Sequence, residues 1–122
     1  MRLLFIADVV GVPGRRAVEE RLAGLKQELR ADFCILNGEN LADGVGITPK
    51  LADKMYEAGA DAITLGNHVW RRGEIVPYLK ESDRIVRPAN RRDRLRRLPS
   101  AIPCCLVEDE LADGALAAAG ER

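Results

Sequence analysis

A chain of 122 residues, 47% hydrophobic and 31% charged, has the length of one domain and enough apolar side chains for a modest core. Its 19 basic and 19 acidic residues cancel, which argues against a dedicated nucleic-acid or membrane-surface protein and favours a globular domain in solution.

Met1 to Ala7 is the first apolar run, and Leu3 to Ala7 reads as a buried strand. Asp8 interrupts it and no small-residue cleavage site follows, so it is not a signal peptide. No later stretch has the length to span a bilayer, and the expected location is the cytoplasm. Residues 8–14 read as a loop. Behind them Val18, Leu22, Leu25 and Leu29 recur at i, i+4, i+7 and i+11, one face of a helix. Arg15, Arg16, Glu19, Glu20, Lys26 and Glu28 lie largely off that stripe and are expected in solvent.

Phe33 to Leu36 is the second strand, with Cys34 as a small buried hydrophobe. Three cysteines, Cys34, Cys104 and Cys105, are odd in number and ill-spaced for a disulfide framework. The loop 37–46 follows, and its Gly44-Val45-Gly46 reads as a flexible turn. Thr48-Pro49 starts a helix with a capping hydroxyl and a proline at the first position. That helix runs to about Ala58, with Gly59 as its terminator. Ala62 to Leu65 is the third strand, 66–70 its exit loop, and a shorter helix follows over about 72–80 with Pro77 as its weak point. The alternation βαβαβα predicts an α/β fold with a parallel sheet and right-handed crossovers. Beyond Asn90 the character changes: lysine disappears, arginine clusters over 91–97, and the end is acidic and alanine-rich. The chain divides into a domain over 1–90 and a divergent, poorly ordered tail over 91–122, with no periodicity that predicts an element.

Every unusual polar residue falls at the carboxyl end of a strand, where open parallel sheets bind ligands. Asp8 follows the first strand, Glu39 and Asn40 the second, Asn67 and His68 the third. Neighbouring strands run about 4.8 Å apart, so these groups can converge on one small site. Two carboxylates, two carboxamides and an imidazole form an oxygen-rich donor set suited to manganese, iron or magnesium. Each residue alone also has a plain turn, cap or packing role; their recurrence at three strand exits points to a metal site. Gly11-Val12-Pro13-Gly14 before a helix offers a weaker anion site at the helix N-terminus. It lacks the third glycine of a dinucleotide loop and the lysine of a P-loop.

At these residues the sequence resembles the YmdB-like branch of the calcineurin-like metallophosphoesterases. The resemblance rests on 5–15 (Phe5 to Arg15), Asn37-Gly38-Glu39-Asn40, Gly46-Ile47-Thr48-Pro49, 64–70 (Thr64 to Trp70) and Arg87-Pro88-Ala89-Asn90, in order and spacing over residues 1–90. Val10 stands where the wider superfamily has a histidine, as it does in this branch. The resemblance implies an α/β sandwich that hydrolyses phosphodiesters, 2′,3′-cyclic nucleotides among them, at a centre of two divalent cations. It implies Asp8, Glu39, Asn40 and Asn67 as metal ligands, with Glu39 bridging, and His68 as proton donor to the leaving oxygen. The family's longer members supply three more histidine ligands from their second half. This chain has one histidine, so the resemblance implies a truncated or frameshifted form with an incomplete site and weak or no activity. The other readings are a non-catalytic α/β fragment binding metal or phosphate, and a nucleotide-binding regulatory module. The expected partner is a small phosphodiester, with no membrane and no specific nucleic acid, and homo-oligomers are left open.

Overall fold

The computed structural model describes residues 1–88 and the two-residue strand Cys104–Cys105. The elements are β1 (Leu3–Ile6), α1 (Gly11–Leu29), β2 (Phe33–Asn37), α2 (Pro49–Glu57), β3 (Ala62–Thr64), α3 (Ile75–Glu81), β4 (Ile85–Pro88) and β5 (Cys104–Cys105). The strands form one sheet in the order β1-β2-β3-β4-β5, and every pairing is parallel. Leu4 stands opposite Cys34, Ile35 opposite Ala62, and Ile63 opposite Ile85. The expected α/β alternation with a parallel sheet is the fold.

Successive neighbours joined by right-handed crossovers place their helices on the same side of a sheet. The core agrees: Val18 and Leu22 of α1, Ala52 and Met55 of α2, and Ile75 and Leu79 of α3 join Cys34, Leu36, Ile63 and Ile85 in one buried cluster. A fully buried leucine or isoleucine of this kind contributes about 1.5–3 kcal/mol. The alternate strand positions face the other way, where Leu3, Phe5 and Phe33 remain 55%, 54% and 39% exposed.

Several boundaries differ from the sequence expectation. Helix α1 begins at Gly11, not after Gly14. Pro13 sits in its first turn, where a backbone N–H has no helical partner to lose. Its apolar stripe is buried at Val18 and Leu22 but Leu29 is exposed. A 19-residue helix is about 28 Å long against strands of about 17 Å or less, so its end overhangs the sheet. Lys26, expected in solvent, donates to the Asp61 carboxylate at 2.7 Å and to the Gly59 carbonyl at 3.0 Å. The same Asp61 oxygen accepts from the Cys34 N–H at 2.7 Å, tying α1, β2 and the start of β3 together. Burial would raise the Asp61 pKa, but the bonds from Lys26 and from the Cys34 N–H outweigh it and hold this carboxyl below the usual range.

Helix α2 follows the expectation closely. Thr48 Oγ1 caps it by accepting from the Leu51 N–H, Pro49 is its first residue, and Gly59 beyond its end has φ +115°. Helix α3 starts at Ile75, so Pro77 is its third residue and breaks no hydrogen bond. Strand β4 has no counterpart in the sequence expectation: two β-branched residues before Arg87-Pro88 are too short a run for a periodicity to show. The poorly ordered tail expected over 91–122 lies outside the described residues, except that Cys104–Cys105 pairs with β4, a strand no sequence alternation predicts.

Candidate metal centre

Because all strands are parallel, the exits of β1, β2 and β3 lie at one end of the sheet, and backbone bonds lace them together beyond the strands. The Val9 N–H donates to Asn37 O at 3.2 Å, Gly38 to Thr64 O at 2.9 Å, and Leu65 to Val86 O at 2.9 Å. Side chains at these exits connect across the gaps. Asn40 Nδ2 donates to Asp8 Oδ1 at 2.6 Å, and Asn40 Oδ1 lies 2.6 Å from His68 Nδ1. Residues from three exits, 28 and 32 positions apart in sequence, thus form one hydrogen-bonded row. Asp8 has a left-handed backbone at φ +44°, a conformation that aspartate tolerates better than most residues.

Glu39 joins the row through packing. A Cβ built on Gly66 would fall inside the Glu39 carboxylate, touching both oxygens and Cδ far below van der Waals contact. The exit of β3 can therefore pass beside Glu39 only because residue 66 has no side chain. Asn67, the next residue, is exposed, while Glu39, Asn40 and His68 are half-buried and Asp8 is exposed.

The loop after β2 is held firmly and is not the flexible turn expected at Gly44-Val45-Gly46. The Gly46 N–H donates to Glu39 O at 2.6 Å, and the Ala42 N–H donates to Gly46 O at 2.8 Å. Arg72 grips the loop from the β3 side, Nε donating to Val45 O and Nη2 to Ala42 O, each at 3.2 Å. Arg15 grips it from α1 by donating to Leu41 O, and its side chain is only 17% exposed. The sequence placed Arg15 in solvent and did not single out Arg72; neither sits in a motif that announces a carbonyl partner so distant in the chain. The anion-loop reading of Gly11 to Gly14 also changes. The Gly11 N–H is spent on Asn40 O at 3.0 Å and that of Gly14 on Val10 O at 3.1 Å, so the loop braces the Asn40 backbone instead.

Against a divalent cation, the donors fit in kind: two carboxylates and two carboxamides supply hard oxygens at one end of the sheet. They are few in number. Among the described residues no three histidine, cysteine, aspartate or glutamate side chains gather closely enough to hold a metal ion by themselves. No helix among the described residues is long and apolar enough to cross a membrane.

Known proteins resemble this chain in sequence and fold over the same stretch. The 2′,3′-cyclic-nucleotide 2′-phosphodiesterase of Bacillus subtilis is 49% identical over 90 residues, covering 74% of this chain and 34% of that protein. A putative phosphatase/phosphodiesterase of Mycoplasma pneumoniae is 36% identical over 91 residues, covering 74% and 32%. The chain thus spans about a third of the length of the curated relatives it matches. Among solved structures, a hypothetical protein from Thermus thermophilus superposes with a TM-score of 0.69 at 40% identity, over 85% of this chain and 37% of that one. A novel phosphatase from Mycoplasma pneumoniae superposes with a TM-score of 0.67 at 36% identity, over 70% and 31%. The family description "YmdB-like protein" matches residues 4–96, a little beyond the motifs that carry the resemblance. With most of its length matched, the chain belongs to the YmdB-like protein family.

Proposed function

We propose that this chain carries the first part of a metal-dependent site that hydrolyses phosphodiesters, with 2′,3′-cyclic nucleotides as the substrate class. The single observation that supports it best is the row of Asp8, Asn40 and His68 across three strand exits, with the Glu39 carboxylate packed against Gly66 beside it. The relative from Bacillus subtilis named for that activity is half identical over the same stretch.

Asp8, Glu39, Asn40 and Asn67 are the residues that would hold two divalent cations, with iron, manganese or magnesium favoured by the oxygen donors. Bound cations would activate a water and neutralise charge on the phosphate oxygens. Glu39, packed against the β3 exit, is the carboxylate that would be shared between them. His68, held through Nδ1, gives a proton to the leaving oxygen. Arg15 and Arg72 hold the loop that carries Glu39 and Asn40 in one conformation, so that these side chains need little reordering when substrate arrives.

Loss of even one outer-shell partner of a metal costs about 10–100-fold in affinity or activity. The donors gathered here leave each cation short of ligands. The purified chain with manganese or iron is therefore expected to show negligible turnover of 2′,3′-cyclic nucleotides or bis-p-nitrophenyl phosphate. Joining residues 1–90 to the remainder of the Bacillus subtilis relative should restore turnover, and Asp8→Ala or His68→Ala in that chimera should remove about 100-fold or more. A folded chimera indifferent to both substitutions would overturn the assignment. Robust turnover by the chain alone, lost in His68→Ala, would show that the residues present suffice and that the site is not partial.

A further inference from the structure

We propose that Asn40 is a positioning residue that fixes the tautomer of His68, using Asp8 as its reference. The argument starts at Asp8. An ionised carboxylate only accepts hydrogen bonds, so the amide group 2.6 Å from Asp8 Oδ1 must be the NH2 end of Asn40. Turning the amide over would set the Asn40 and Asp8 oxygens, two acceptors, against each other and lose that bond. Asp8 thus dictates that the Asn40 carbonyl oxygen faces His68, where it lies 2.6 Å from Nδ1. A carbonyl oxygen cannot donate, so Nδ1 must carry the proton of that bond.

The neutral imidazole of His68 is therefore the Nδ1–H form, and Nε2 carries the lone pair. This reverses the preference of an unconstrained imidazole for a proton on Nε2. When His68 takes up a proton it arrives at Nε2, and the same proton is the one it can release. Nδ1–H stays with Asn40 throughout.

The backbone reinforces the arrangement. Asn40 O accepts from both the Gly11 and the Gly44 N–H at 3.0 Å, so the residue that orients His68 is held from α1 and from its own loop. This positioning role uses one lone pair of Oδ1 and leaves the other for a cation.

The inference rests on the phosphoesterase reading only for its use in turnover; the tautomer itself is a property of the metal-free chain. His68 is the single histidine, so its ring nitrogens give the only imidazole signals in a long-range proton–nitrogen correlation spectrum of the labelled, metal-free protein. With the ring neutral, the wild type is expected to show a pyrrole-type Nδ1 and a pyridine-type Nε2. Asn40→Ala should reverse the two. A wild-type spectrum with the proton on Nε2 overturns the proposal whether or not any variant folds, and so does an unchanged tautomer in folded Asn40→Ala. An inactive chimera whose His68 still shows the Nδ1–H form would sink the phosphoesterase reading and leave this one standing.

Discussion

Gly66→Ala is the sharpest probe of the site, because a single methyl group would have to occupy the place of a carboxylate. The added Cβ would overlap Glu39 Oε1, Oε2 and Cδ at once. Either the Glu39 side chain leaves its position or the β3 exit moves away from the β2 loop. The backbone route would strain the Gly38–Thr64 bond and the pairing of β2 with β3. Overpacking of this kind costs about 1–3 kcal/mol. Glu39 is only half-buried, so its carboxylate can shift toward solvent and the cost should fall near the lower end, about 1 kcal/mol. With a urea slope of about 1 kcal/mol/M for a domain of this size, the midpoint should fall by about 1 M. The decisive measurement is a double-mutant cycle by urea denaturation. In a Glu39→Ala background the obstacle is gone, so Gly66→Ala should become nearly neutral, a coupling of about 1 kcal/mol. Manganese binding followed by electron paramagnetic resonance should weaken in Gly66→Ala and in Glu39→Ala alike, and no further in the double variant. If Gly66→Ala costs the same with and without the Glu39 carboxylate, the packing of Glu39 against the β3 exit is wrong.

Other outcomes follow from individual contacts. Asp61 has a depressed pKa in the folded chain, so its contribution is present above the unfolded carboxylate value of about 3.9 and is lost as pH falls through the folded value. Asp61→Asn should flatten the acid limb of a stability–pH profile below about pH 4, by no more than about 1 kcal/mol for a pair this open to solvent; an unaltered limb would discount the Lys26–Asp61–Cys34 junction. Thr48→Ala removes the cap of α2 and should cost about 1 kcal/mol by denaturation, whereas a loss below a few tenths would show that Pro49 alone starts the helix. Arg72→Ala deletes two bonds to the 42–45 carbonyls, together about 1.4 kcal/mol. Exchange of the Gly46 amide should therefore quicken about tenfold, and unchanged exchange would mean that Arg15 and the loop's own bonds hold it unaided.

What local sequence can encode was legible. Thr48-Pro49 and Gly59 bracket α2 because capping and termination are decided within a few residues, and the apolar runs at 3–7, 33–36 and 62–65 became strands within a residue or two of their expected ends. The family too was readable, since its motifs lie in contiguous stretches around the strand exits. Strand β4 and the pairing of Cys104–Cys105 were not, because so short a strand exists only by virtue of a sheet already there to receive it. Nor were the partners of Arg15, Lys26 and Arg72: a long cationic side chain takes whatever carbonyl or carboxylate the fold brings to its tip. The site divides in the same way. The sequence by itself determined which groups stand at the strand exits, for strand, loop and helix starts are set by near neighbours. Only the tertiary structure decided that Asn40 lies between Asp8 and His68 and that Glu39 lies against Gly66, because those contacts span 27 to 32 residues and depend on the register of three strands at once.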